Sequence, residues 1–117
     1  MDKVNLRDKL AQFDTHWDPH VVANYNGNDI MVVKFVGEFP FHKHDESDDF
    51  FLVLDGEVTV DVEGQDSVVM GAGELCVVPR GATHRPRAVS EAKVLLIEPT
   101  GLPNTGDAAT AAAKPQI

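Results

Sequence analysis

Apolar and polar residues alternate through positions 57–63, with Val58, Val60 and Val62 on one face and Glu57, Thr59, Asp61 and Glu63 on the other. A period of two belongs to a β-strand with one buried and one solvated face. Similar β-branched and aromatic runs occupy 31–36, 50–54, 67–70, 74–79 and 93–98. Asp55-Gly56, Glu63-Gly64, Gly71-Ala72-Gly73 and Arg80-Gly81 separate them as turns. Short strands at this spacing predict an all-β barrel or two-sheet sandwich. Segments 50–54 and 94–97 are apolar on both faces. One face can fill the barrel; the other needs cover from a second sheet, the N-terminal arm or a partner subunit.

Helical spacing occurs near the start, where Leu6, Leu10 and Phe13 recur within residues 4–13 and Asn5 stands as the cap. Residues 14–28 contain Pro19, Asn24, Asn26, Gly27 and Asn28, which predicts loop mixed with short extended pieces. After Pro99 the alanine-rich stretch has no apolar face to hold a helix in water. The expected organisation is an N-terminal helix and arm over 1–19, a β-barrel over 20–103 and a flexible tail over 104–117.

A chain of 117 residues supports one domain with one core. Its net charge of −9 repels phosphate backbones and anionic lipid, which argues against nucleic-acid and membrane partners. The apolar runs are far too short for a helical membrane span, and residues 1–15 carry no apolar signal core. Cys76 is the single cysteine, so no internal disulfide forms. Together these features predict a cytoplasmic protein.

The densest chemistry lies in HKHDESDD, residues 42–49. On an extended segment His42 and His44 point the same way, and neutral imidazole is the commonest ligand of first-row transition metals. If residues 45–48 turn, Asp49 opens the next strand on the face of Phe51 and Val53, at the same end of the barrel as His44. His84 follows the Pro-Arg-Gly turn at 79–81 and also begins a strand. Three histidines and a carboxylate would leave positions open on an octahedral metal for water or substrate.

Gly37, His42-x-His44, Asp49 and Gly56, followed by Gly73, Pro79, Gly81 and His84, resemble the two linked motifs of the cupin superfamily. The resemblance covers about residues 29–99. It implies a double-stranded β-helix, the cupin jelly-roll barrel, with a divalent metal (Fe, Mn, Ni or Zn) inside, held at His42, His44, Asp49 and His84. The flanking segments VNLRDKLAQF, HWDPH and LLIEPTGLPNTG are similar to small single-domain cupins sometimes labelled mannose-6-phosphate isomerase-like, a label that rests on fold analogy. Three positions depart from the pattern. Asp49 stands where Glu is usual and is shorter by about 1.5 Å. Ala88 replaces an Asn, and four residues rather than five separate Gly37 from His42. Two arrangements follow for Asp49: binding through water, or a site of three histidines alone.

Other candidates carry less. His16 and His20 bracket Trp17, Asp18 and Pro19, which reads as a loop packing its aromatic on the barrel rather than a second metal site. Cys76 reads as a packing residue, and Arg85 and Arg87 as surface cations on the face opposite His84. Phe39, Phe41 and Phe50 fall off the inward face and predict an outer aromatic patch, hence a homodimer. The expected function is a metal-dependent enzyme, of isomerase or dioxygenase type, acting on a small polar, oxygen-rich molecule. The alternative is a cupin that binds or senses a small ligand without turnover. No catalytic base is evident from the pattern, so acid–base work would fall to metal-bound water.

Overall fold

The structure is a computed structural model that describes residues 1–117. One short helix and seven strands follow in order: α1 (Leu6–Leu10), β1 (His20–Tyr25), β2 (Asn28–Glu38), β3 (Asp49–Asp55), β4 (Glu57–Val62), β5 (Val68–Gly71), β6 (Leu75–Val78) and β7 (His84–Pro99). All named pairings are antiparallel. The main path runs β1-β2-β7-β3-β6. The long β7 joins two layers: its first residues pair with β4 (Val62↔His84), and residues 93–97 pair with β3. The all-β sandwich with a short N-terminal helix is as the pattern predicts. No helix is long and apolar enough to cross a membrane.

Alternation builds the core. Met31, Val33 and Phe35 of β2 meet Phe51 and Val53 of β3, Val58 and Val60 of β4, and Val94 and Leu96 of β7, all buried. Burying each such side chain contributes about 1.5–3 kcal/mol. Gly56 makes the β3–β4 turn possible on two counts. Its φ of +85° suits glycine, and a Cβ there would stand 3.1 Å from the Ala92 Cα.

Two stretches differ from the sequence reading. Residues 20–25 form a strand with one irregularity between Val21 and Ala23, because Gly27 (φ +77°) and Asn26 (φ +49°) close a tight hairpin that pairs Tyr25 with Asn28. The strand expected to begin at His84 runs on through the polar residues 85–92 and joins 93–98 in one element, β7. One face of it is solvent, and there Arg85 and Arg87 both bind Asp61 of β4. The predicted helix is real but confined to Leu6–Leu10, with Asn5 Oδ1 accepting from the Asp8 amide at 3.0 Å.

The N-terminal arm covers part of the outer sheet face. Leu10 is buried, and Lys34 of β2 donates to the Phe13 carbonyl at 2.6 Å. Further along, cover is lacking. Phe50 pairs across β3 with Ile97 and Val77, and Leu52 with Leu95 and Leu75. Leu75 and Val77 are 55% and 51% exposed on the edge strand. The outer aromatic patch is corrected here: Phe50 alone lies on this face. Phe41 sits under the Arg85 guanidinium, 4.5 Å from the ring centre, while Phe39 turns inward. The segment 39–48 is not a strand, so period-two reasoning fails to place its aromatics.

At the C-terminus, Gln116 bridges Val21 in parallel, the Val21 amide donates to the Pro115 carbonyl, and the Ile117 amide donates to the Val21 carbonyl.

Candidate metal centre

The segment carrying the two histidines is held by one bridge rather than a strand. His42 and His84 exchange both backbone hydrogen bonds at 2.9 Å. The Gly81 amide donates to the His44 carbonyl at 2.8 Å. These bonds keep 42–44 extended enough for His42 and His44 to face the same point. His84 opens β7 and Asp49 opens β3, both on inward positions. The turn between them is tied down by Asp48, whose carboxylate accepts from the Arg80 amide.

One donor atom from each of His42, His44, Asp49 and His84 lies within 4.8 Å of the others. Asp49 Oδ2 is 2.8 Å from His84 Nε2, 3.4 Å from His44 Nε2 and 4.0 Å from His42 Nε2. Metal–ligand bonds of about 2.1 Å place neighbouring donors about 3 Å apart, so this spacing fits one ion. The shorter aspartate arm reaches the three imidazoles because β3 begins at Asp49, directly under them.

The protons also favour a cation. His42 Nδ1 donates to the Pro40 carbonyl at 2.9 Å and His84 Nδ1 to the Ala82 carbonyl at 2.8 Å. A neutral imidazole has a single N–H, so each Nε2 then presents a bare lone pair. His84 Nε2 faces an Asp49 oxygen at 2.8 Å. Two lone pairs cannot stand so close without a proton or metal ion between them. In addition, both ring nitrogens of His44 and Oδ1 of Asp49 are buried with no hydrogen-bond partner. Such atoms are costly to bury unless something coordinates them. The residues fit a metal.

Titration follows the same geometry. Burial works against the Asp49 carboxylate, but His44 and His84 outweigh it and hold the group below its ordinary range. Burial also opposes charge on His84; its hydrogen bond to Asp49, with the Ala82 carbonyl, reverses the balance and raises it. Burial lowers His42, against the pull of the Pro40 carbonyl.

His42 and Asp49, with Glu98 and Asn104, form the polar side of a small cavity that opens to the surface. Trp17, Phe35, Phe39, Phe51 and Leu96 form much of its apolar side. Trp17 stacks on Phe35 at 4.3 Å and lies 5.0 Å from Phe39. Its φ is +57°, and its indole N–H is tied to the Val36 carbonyl. A bulky residue in the left-handed region marks a place where the surroundings dictate the backbone. His16 and His20 stay apart from the centre: His16 contacts Glu91 at 2.8 Å, and His20 stacks on Phe13 at 3.9 Å. Cys76 packs against the core, where burial raises its thiol to about 11.

Glu98 is the residue the sequence reading missed. Its side chain is 3% exposed and lines the same cavity. Burial, then the Asp49 charge, lift its pKa to about 7, against the pull of Lys114. Its inward face was legible in KVLLIE, since Val94, Leu96 and Glu98 alternate, but the strand looked apolar on both sides.

The comparisons with known proteins agree with this fold. The model of the family described as Cupin domain matches residues 29–98. The chain belongs to the cupin family. A cupin-2 domain containing protein from Shewanella frigidimarina NCIMB 400 is 38% identical to this cupin, over 82% of this chain and 93% of that one, with a TM-score of 0.80. Uncharacterized protein YdbB of Bacillus subtilis (strain 168) is 30% identical over 93 residues, 80% of this chain and 76% of that protein. Hydroquinone 1,2-dioxygenase PnpCD, solved with Cd2+ and 4-hydroxybenzonitrile, shares the fold at 22% identity, with a TM-score of 0.68 over 80% of this cupin and 70% of that chain.

Proposed function

We propose that this cupin is a metal-dependent enzyme of isomerase or dioxygenase type, with a divalent ion held by His42, His44, Asp49 and His84. The observation that carries the reading is the set of buried, unpartnered donors on His44 and Asp49 beside a lined cavity. Bound there, a divalent ion would act as a Lewis acid on a substrate oxygen. The chain's own residues supply the rest. Trp17, Phe39 and Phe51 exclude water and pack against the body of the ligand, and Glu98 takes up or returns a proton at its carboxylate. The apolar lining narrows the substrate to a small molecule with an oxygen at the metal end and a largely apolar remainder. The carboxylate of Glu98 supports turnover over simple ligand storage, since it places a buried proton acceptor on the cavity wall beside the metal donors.

Loading untagged protein with Fe, Mn, Ni or Zn, followed by elemental analysis, tests the reading. About one ion per chain is expected for at least one metal, as one four-donor site demands. Protein that takes up none of the four sinks it. Tight binding of small molecules with no turnover under any loaded metal would move the reading to the sensing alternative.

We also propose a homodimer through the outer face of β3, β6 and the end of β7. The ladder of Leu52, Leu75, Phe50, Val77, Leu95 and Ile97 is apolar in register across three strands and ends on an open edge. Sedimentation should give a dimer at micromolar concentration. Leu75→Lys with Val77→Lys should give a folded monomer; wild-type protein sedimenting as a monomer would remove the proposal.

A further inference from the structure

The cavity has a wall that belongs to no strand. Asn104 lines it. Asn104 Oδ1 accepts from the Ala112 amide at 2.9 Å, and its Nδ2 makes no bond to the protein. Beyond Asn104 the chain is fastened at three separate places. Lys114 Nζ reaches the Leu102 carbonyl and the Glu98 carboxylate, the latter at 3.3 Å. Gly106 lies directly on the Lys43 carbonyl, between the two histidines of the metal centre, with no room for a Cβ and with φ at +77°. Residues 115–117 pair with Val21, and Lys9 binds the Ile117 carbonyl.

We propose that residues 102–117 are a latch on the cavity, clasped by Lys114 on Glu98 and seated at Gly106 on the metal-binding segment, and that its release admits ligand. The fastenings are of the kind that opens. Lys114 is linked by one exchangeable ion pair to a carboxylate inside the cavity, and the intervening 107–113 stretch has no strand or helix to stiffen it. A ligand group that competes for Glu98 removes the clasp as it enters. With the latch closed, Asn104 offers its free amide N–H groups at the cavity wall, so the latch also contributes to selection. Two of its three fastenings, at Glu98 and Lys43, adjoin the chemistry; entry and coordination are thereby coupled.

The inference rests on the cavity being the ligand site, and its test has one arm that needs no metal. Trp17 is the single tryptophan and lines the cavity, so acrylamide quenching of its fluorescence reads access directly. Lys114→Met in the full chain should raise the quenching constant by about twofold or more, and speed removal of bound Co2+ by EDTA by about tenfold. Lys114→Arg should restore both. Gly106→Ala, which unseats the latch at a different point, should act in the same direction. Folded Lys114→Met and Gly106→Ala proteins that quench like wild type overturn the latch. Failure to take up Co2+ would count against the metal centre instead and leave the quenching arm to decide.

Discussion

His44→Ala is expected to end stoichiometric metal binding, weakening affinity by more than about 100-fold. Changes behind the ligands already cost about 10–100-fold in metal sites, and this one removes a ligand. His44 has no other partner for either ring nitrogen, so nothing else in the structure explains its burial. Asp49→Ala is expected to match it. Oδ2 lies within 4.0 Å of all three imidazole Nε2 atoms and supplies the negative charge of the centre. Asp49→Glu should not tighten binding. The carboxylate already contacts His84, and an added methylene in this buried position costs about 1–3 kcal/mol of stability through overpacking. In wild type, metal at 1,000 times its Kd adds about 4 kcal/mol to folding. At about 4 °C per kcal/mol, the thermal midpoint should fall by about 15 °C on chelation. His44→Ala should show no such difference. Metal content and thermal midpoint, with and without chelator, check all of this; His44→Ala protein holding as much metal as wild type would falsify the site.

In metal-free protein, stability should fall as pH rises from about 4.5 towards 7, and Glu98→Gln should remove most of that slope. The sign follows from proton counts. Folding raises the Glu98 pKa from 4.5 to about 7, so between those values the folded state binds more protons than the unfolded one. The Glu98 contribution therefore drops through the window and levels off above the folded pKa, while His42, whose pKa burial lowers, contributes in the opposite sense. A displacement of that size corresponds to about 3.5 kcal/mol at most, since one pKa unit is worth about 1.4 kcal/mol. Bound metal would offset the Asp49 charge, which is the second cause of the shift, and should flatten the curve in wild type. Urea unfolding from pH 4.5 to 7.5, for wild type and Glu98→Gln, measures the difference. Equal slopes for the two proteins would show that Glu98 keeps an ordinary pKa.

The strands were legible because their signal is local. Val58, Val60 and Val62 face the core where alternation puts them, and Gly56 marks the turn that only glycine fits. The strand at 20–25 was obscured by neighbouring turn residues, although Asn26 and Gly27 were the hairpin that made it a strand. Phe39 was misplaced for a related reason. Period-two logic was carried into 39–48, where backbone bonds to β7 replace a regular ladder.

For this protein, sequence alone determined the fold class and named four donor residues, because strand period, turn glycines and His-x-His spacing are properties of short segments. Tertiary structure decided what those donors meet. Asp49 reaches the histidines only because β3 starts beneath the His42–His84 bridge, and this depends on register between distant strands. The cavity joins Trp17, Phe39, Glu98 and Asn104 from four parts of the chain. The standing of Glu98 depends on burial, on the Asp49 charge and on an ammonium from Lys114. None of these has a local pattern, since dielectric and charge proximity arise only when the sheet closes and the C-terminal segment folds back across it.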